Sequence, residues 1–467
     1  MTIFLDILTK LLETITKISI PPTFIARTLF MFTSNIVYGM SFISDIKFID
    51  SYFVNQNNLN LQEKICVSKS DTNNFVIYFS ILSLKLLNQD LKSNYLELFI
   101  LNELEIINCK EYQIFLNENN KLIESLSIKI IEYYEFRNND GWKDSNKSID
   151  LPNGDYRINP DQPIDLEKIQ DYKSWCPIEK QIMIGSSWGK VPGLINQSDF
   201  DFIESELIEL FKEIDLESES KQVLVTSLNL TLEQKCIAEF WAGIGNSVSP
   251  PGFWNIFMLC CSKKSNNFNY LEQVSRFYEL NCGLFQISLV IWNIKYKCLQ
   301  ARPIQTIRFL FPNVEFDYYF GNGLGKTWLP YQESRLWTPP FPDYLSGHSG
   351  FSSTGAYFIT KFFGSDISEL NVTINSEELK LLSPLFKNFV GKPMYLSQII
   401  IESNSSSIET NILSEQVYLK FNTWDEMAES AGMSRIYGGI HYISSNLISL
   451  DVGKKVSLLV NNKFNCE

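Results

Sequence analysis

The stretch Pro339-Pro-Phe-Pro-Asp-Tyr-Leu-Ser346-Gly347-His348 runs without a break into Ser349–Phe363. Its prolines stiffen the approach to a helix whose small residues, Gly350, Ser352, Ser353, Gly355 and Ala356, permit close contact with another helix. Backbone N–H groups near Gly347 and His348 then point at an anion beside a helix N-terminus, and the Ser346 hydroxyl adds a donor. Taken alone, Ser-Gly-His is a loop cap in most proteins. Two further segments change that reading.

Upstream lies Lys295-Tyr-Lys-Cys-Leu-Gln-Ala-Arg302-Pro303. Read as one continuous helix, the Lys295-to-Arg302 spacing puts both cations on one face, about 10 Å apart. They could flank a polyoxygen anion, arginine as a planar fork and lysine as a point charge. Downstream, Ser434-Arg435-Ile-Tyr-Gly-Gly-Ile-His441 adds another guanidinium and an imidazole. The chain has 2 histidines in all, and each falls in a segment that carries its own anion donors. Three cations, two imidazoles, a hydroxyl and loop amides are what a tetrahedral oxyanion and its chemistry require.

The rest of the chain sets bounds. With 467 residues, 45% of them hydrophobic, it can bury a large core, and 20% charged residues exclude a disordered chain. A net charge of -13 excludes a nucleic-acid partner, which needs a basic face, so an anion site must be made positive locally. The 9 cysteines are scattered with no Cys-x-x-Cys pair, which predicts free, mostly buried thiols. The N-terminus carries Asp6, Lys10, Glu13 and Lys17 and reads as an amphipathic helix instead of a secretory signal. No apolar run is long enough for a membrane span, and a cytoplasmic location is expected.

Apolar periodicity predicts helices over Phe24–Ile43, Phe75–Leu87 and Asn94–Ile107. From Asn138 to about Gln197 the texture turns to Gly, Pro, Asp and Asn, an irregular wrap with Trp142, Tyr156, Trp175 and Trp188 as anchors. Thr231 and Gln234 form a capping box for a helix that Gly243 and Gly245 end, and a long helix follows from Tyr270 to Ala301. Residues 365–422 are β-branched and rich in Ser and Asn, fit for one hairpin or a long excursion. Thr423 and Glu426 make a second capping box, and a last helix follows His441. The expected division is a helical part over 1–137, a wrap over 138–228 and a catalytic helical part over 229–467.

Lys-x6-Arg-Pro, Ser-Gly-His and Ser-Arg-x5-His, in that order, resemble the signature shared by vanadium haloperoxidases and type 2 phosphatidic acid phosphatases. Pro21-Pro22 to Tyr38, Ala238–Trp241, Pro250–Asn255, Ser334–Gly364 and Trp424–Gly453 extend the likeness to about two-thirds of the chain. It is closest to the soluble haloperoxidase-like branch. The resemblance implies an all-α fold, a pair of four-helix bundles with long irregular connections and room for one small β-hairpin. It implies vanadate as cofactor, in a place phosphate can also take, with His441 bonding the vanadium. Lys295, Arg302, Ser346, the Gly347 amide and Arg435 would hold the oxygens, and His348 would be the general acid–base. Trp292 and Phe341 match positions that line a halide pocket in some members, though ordinary packing explains them as well.

The implied function is a vanadate-dependent haloperoxidase acting on hydrogen peroxide and halide. The alternatives are an acid phosphatase that attacks a phosphomonoester through His441, and a non-catalytic anion-binding relative. A homo-oligomer is left open. One departure bears on the choice. Many phosphatases of the superfamily have an Asp four residues after the last histidine, and this chain has Ser445. Unless a backbone carbonyl or another carboxylate substitutes, that implies weak phosphomonoesterase activity, and a gain on Ser445→Asp where the geometry accepts the longer side chain.

Overall fold

The computed structural model describes residues 3–57, 64–93, 110–243, 247–265, 269–318, 321–334, 337–409 and 415–465. The longer helices are α1 (Ile3–Ile18), α2 (Pro22–Met40), α3 (Lys69–Leu91), α4 (Asn120–Asn138), α5 (Gln197–Lys212), α6 (Leu216–Leu228) and α7 (Leu232–Phe240). They continue as α8 (Ser249–Lys264), α9 (Tyr270–Cys298), α10 (Pro303–Leu310), α11 (Gly347–Phe363), α12 (Trp424–Tyr437) and α13 (Ile443–Asn465). The helix expected over Asn94–Ile107 lies outside the described residues, as does Gly245.

At the centre is α9. From Val274 to Ile294 it is buried nearly all round, which only a helix enclosed by others can be. It packs against α2, α11 and α13, while α11 also packs against α8 and α12. Small residues set how close these helices come. A Cβ on Gly350 of α11 would stand 2.3 Å from Ile291 of α9, and one on Gly453 of α13 would stand 2.8 Å from the Gly350 carbonyl. Gly350 therefore touches two helices at once.

The predicted caps are present in unequal form. Thr231 and Gln234 make the full reciprocal box of α7. Thr423 accepts from the Glu426 amide, but the Glu426 carboxylate reaches back to the Asn422 amide instead of closing the box. Residues 365–422 hold more strand than one hairpin. Four short strands, β3 (Thr373–Ile374), β4 (Met394–Tyr395), β5 (Gln398–Ile401) and β6 (Val417–Lys420), form an antiparallel sheet in that order. A separate hairpin pairs β1 (Glu315–Tyr318) with β2 (Gly321–Leu324).

The wrap is fixed at both charged and aromatic anchors. Trp175 and Trp188 are fully buried, and Trp188 donates to the Ser288 hydroxyl of α9 at 2.9 Å. Arg137 of α4 forks onto Asp50 at 2.6 and 2.7 Å and donates to the Pro192 carbonyl, while Arg27 of α2 pairs with Asp140 at 2.8 Å. The buried charges thus cancel pairwise. Among the described residues all cysteines are free thiols and most are buried. None of the described helices is long and apolar enough to cross a membrane.

Candidate functional site

Lys295 and Arg302 meet through a break in the chain, which corrects the expectation of one helical face. Helix α9 ends at Cys298, and Leu299 adopts a left-handed conformation (φ 47°) with its N–H on the Lys295 carbonyl. Arg302 is extended and precedes Pro303, the first residue of α10. The segment between is held by its backbone: Trp175 N–H donates to the Leu299 carbonyl at 2.7 Å, and Ala301 N–H to the Lys173 carbonyl at 2.8 Å.

Both cations then grip one loop. Lys295 Nζ donates to the carbonyls of Pro342 and Asp343 at 2.9 and 2.7 Å. Arg302 donates from Nε to Phe341, from Nη2 to Pro342, and from Nη1 to Ile440. That loop delivers Ser346 as the N-cap of α11, where its oxygen accepts from the amide of Ser349. Ser349 gives its single hydroxyl proton to Asn446 Oδ1, so the Ser346 hydroxyl donates to Ser349, and the first amides of the helix, those of Gly347 and His348, have no intrahelical carbonyl to bond.

Arg435, in the last turn of α12, donates from Nη1 to the carbonyls of Trp241 and Ala242 at 3.3 Å each. Its Nε is buried without a partner. His441 follows in the bend between α12 and α13. Its Nδ1 lies 2.9 Å from Asp343 Oδ1, a short contact but not an aligned hydrogen bond. Arginine can only donate, so the 3.4 Å approach of Arg302 Nη1 to His441 Nε2 makes Nε2 the acceptor and places the ring proton on Nδ1. His348 is the other way round: its Nε2 lies 2.8 Å from the Trp241 carbonyl and donates to it, leaving Nδ1 to exchange a proton.

These groups border a cavity of about 230 Å³ whose wall includes Trp292, Phe341, Gly347, His348, Arg435 and His441. The Trp292 and Phe341 rings are 5.1 Å apart, and Lys295 Nζ lies 5.1 Å from the Phe341 centroid. The structure thus brings every sequence-predicted site residue to one place, with Lys295, Arg302 and Ser346 directly behind the wall.

Burial dominates the electrostatics. It pushes Lys295 well below the usual lysine range, helped by Arg302, and brings Arg302 to about 10 and Arg435 to about 9. Both imidazoles are held well below their usual value, by burial first, then for His348 by Arg435 and for His441 by Arg302. Burial raises Asp343 to about 6 against the opposing pull of Arg302 and Lys295. Three cations and one carboxylate leave a formal excess of two positive charges (3 − 1), which a doubly charged oxyanion would neutralise.

Sequence reading missed Asp343, which stood in view within the proline-rich approach. Asp343 is the substitute carboxylate left open for Ser445. The orienting carboxylate is not needed at that position, because Asp343 occupies the Nδ1 side of His441 and Ser445 donates its hydroxyl to the other Asp343 oxygen. Ser445 is fully buried, so a longer side chain there would have to displace its neighbours, Asp343 first. Glu219 was also missed: it accepts from the amides of Ile443 and Ser444 at 2.8 and 3.2 Å, fixing the start of α13 just after His441.

Residues 276–465, which hold every one of the predicted site residues, match the family described as the VCPO second helical-bundle domain. No curated protein matches the chain by sequence. Among solved structures, a bacterial vanadium-dependent iodoperoxidase is similar at a TM-score of 0.65 and 18% identity, over 98% of this chain and 95% of that one. A bacterial vanadium-dependent chloroperoxidase in its holo form is similar at 0.58 and 14%, over 96% and 93%, and its apo form at 0.59 and 14%, over 95% and 92%. At those identities the structural likeness speaks for the fold, and the family match speaks for residues 276–465. Residues 276–465 match that helical-bundle family, and over nearly its whole length the chain shares the fold of the vanadium-dependent peroxidases it is similar to.

Proposed function

We propose that the chain is a vanadate-dependent haloperoxidase. The observation that carries this reading is a fully buried set of three cations around His441, whose Nδ1 side is turned to Asp343 and whose Nε2 is left as an acceptor at the cavity. The donor set fits vanadate. Arg435 Nε is a buried donor without a partner, the first α11 amides are unspent, and the excess positive charge matches a tetrahedral oxyanion. Lys295, Arg302, Ser346, Gly347 and Arg435 would hold its oxygens and His441 Nε2 its metal. Bound vanadate supplies a Lewis acid that activates peroxide at constant oxidation state.

The protein's own part is to bind, orient and move protons. Asp343 keeps the proton on His441 Nδ1. His348, neutral and anchored through Nε2, takes a proton at Nδ1 from an incoming peroxide and returns it as water leaves. Trp292 and Phe341 offer a dry edge for a halide beside Lys295. The balanced reaction is H2O2 + X⁻ + H⁺ → HOX + H2O, with peroxide reduced and halide oxidised. The neighbours' names favour this chemistry, and they include both iodide and chloride oxidation.

Asp343 also favours a second reading, phosphomonoester hydrolysis through His441. A phosphohistidine needs a carboxylate on the remote ring nitrogen, and one is there. One experiment separates the two. Orthovanadate should bind with about 1:1 stoichiometry in competition with phosphate, and the loaded protein should oxidise iodide or bromide with peroxide. Failure to take up vanadate by calorimetry would overturn the oxyanion site, and phosphatase turnover without halide oxidation would move the assignment to the phosphatase.

A further inference from the structure

The start of α5 is a helix end without a side-chain cap. Asn196 stands at the N-cap, but its side chain bonds no amide of the first turn and its Oδ1 accepts from Lys463 of α13 at 2.7 Å. Phe200 N–H is the first to reach back, to the Asn196 carbonyl at 3.1 Å. The N–H groups of Gln197, Ser198 and Asp199 therefore have no intrahelical acceptor. Gln197 and Phe200 line a second cavity, of about 590 Å³, together with loop 189–193, Tyr52 and Gln286 of α9.

Gln286 makes this more than a bare helix end. Its side chain is fully buried, and its Oε1 accepts from the amides of Leu194 and Ile195 at 2.6 and 3.3 Å. Two donors on one atom fix that atom as the oxygen, so Nε2 is the other end of the amide. That nitrogen is buried with no partner, and a buried donor left unpaired marks a place where an acceptor belongs. Gly193 leaves room for one: a Cβ there would stand 2.5 Å from Oε1 and 3.0 Å from Nε2. Lys190, on the same wall, is exposed and in no ion pair with the described residues.

We propose that this cavity binds a small-molecule monocarboxylate with a ring-sized apolar body, at a site separate from the oxyanion centre. Along α9, Gln286 lies about 14 Å from Lys295. Gln286 Nε2, the free amides of α5 and the Lys190 ammonium all call for oxygen, and the last two call for negative charge. A carboxylate has two oxygens, one for Nε2 and one for the helix end. The charge balance sets a single negative charge. A helix N-terminus carries about half a positive charge, Lys190 adds one, and Asp199 in the first turn offsets part of the sum. Among the lining residues Lys190 is the only ionised side chain, too little for a phosphate dianion. The rest of the wall is mixed: Tyr52, Ile195, Phe200 and Leu289 supply carbon, Ser51 and Asn55 neutral polar groups. The Tyr52 ring is held in place by Phe136 and the Arg137 guanidinium, at 5.2 and 5.3 Å. The volume lies within the range of about 300–1,000 Å³ usual for small-molecule sites.

The test is an NMR titration of the whole isotope-labelled chain with benzoate, and with benzamide as its neutral isostere. Benzoate should shift the backbone amides of residues 197–199 and the Gln286 side-chain amide. Benzamide should bind about tenfold or more weakly, the scale of one hydrogen bond to a charged group. Three variants bear on the donors one at a time. Lys190→Gln removes the charge. Gln197→Pro deletes the first free N–H at a place proline accepts, since Asn196 before it is already extended (ψ 152°). Gln286→Glu keeps the oxygen that Leu194 and Ile195 need, and those two bonds hold the new carboxylate ionised where the donor stood. Each should weaken benzoate about fivefold or more, with an unchanged melting temperature for the two exposed positions, 190 and 197, which carry the test where Gln286→Glu fails to fold. No shift at the α5 amides, equal binding of benzamide, or benzoate binding indifferent to both Lys190→Gln and Gln197→Pro overturns the site. Inorganic phosphate that shifts the same amides at a lower concentration than benzoate overturns the monocarboxylate assignment.

Discussion

Replacing Asp343 by Asn removes one charge and little else. The amide oxygen can still face His441 Nδ1, and the amide nitrogen can face the Ser445 hydroxyl, so shape and most hydrogen bonds survive. Two consequences of the lost charge oppose each other. Arg302 Nη1 lies 3.9 Å from Asp343 Oδ1, an attraction of about 4 kcal/mol at an effective dielectric constant near 20. Without it the formal excess rises from two positive charges to three, and a bound anion recovers part of what Arg302 has lost. Phosphate, held by charge and hydrogen bonds alone, should bind as well or up to about tenfold more tightly. Vanadate additionally needs a basic His441 Nε2, and loss of an outer carboxylate behind a ligating histidine costs about 10–100-fold in affinity. The two ligands should therefore move apart in Asp343→Asn when calorimetric dissociation constants are compared at one pH. The free protein should also lose about 3–5 kcal/mol of stability in urea, because buried cations are left uncompensated. Equal shifts for both ligands, or none, would refute the coupling of Asp343 to His441.

Four other outcomes follow from the same geometry. Ser445→Asp sets a second carboxylate against the fully buried Asp343 and should lower the melting temperature with no gain in phosphatase turnover; a stable, faster phosphatase would contradict this. His441→Ala should abolish vanadate retention, whereas His348→Ala should keep much of it and lose about 10²–10⁴-fold in peroxidase turnover, so equal vanadate loss in both counts against the division of roles. The His348 imidazole is held neutral in the fold, so below about pH 6.5 the unfolded chain takes up a proton that the folded one refuses, and stability falls by about 1.4 kcal/mol per pH unit from this group. His348→Gln should accordingly flatten the urea-midpoint profile between pH 6.5 and 5, and parallel profiles would show that the group does not titrate as described. Gly453→Ala pushes a methyl group to within 2.8 Å of the Gly350 carbonyl and should destabilise by about 1–3 kcal/mol, a cost checked by thermal unfolding.

The parts of the site that were legible in the sequence are those whose chemistry is local. Ser346-Gly347-His348 sits at a helix start, Arg435 and His441 share one bend, and Thr231 with Gln234 caps α7 through four consecutive residues. What was not legible depends on where distant segments come to rest. Asp343 was overlooked because a carboxylate was sought at a fixed step after His441, while the fold brings one from the preceding loop through the grips of Lys295 and Arg302. The end of α9 at Cys298 carries no glycine to announce it. Leu299 takes the left-handed conformation under tertiary hydrogen bonds, a cost that no local propensity reveals. The small sheet over 373–420 escaped for a related reason: strands of two to four residues are too short for alternation to show.

The pinned link between α9 and α10 makes length, more than lettering, the inherited quantity. Its three backbone bonds, from Trp175 to Leu299, from Asp343 to Gln300 and from Ala301 to Lys173, do not depend on which side chains the link carries. An inserted residue, by contrast, advances the chain by about 3.3 Å or more, enough to take Arg302 off all the carbonyls it now holds at 2.6–3.3 Å. A library over 299–301 should therefore split sharply. Most substitutions of similar volume keep vanadate uptake, and single-residue insertions or deletions lose it even where the helices on either side remain intact.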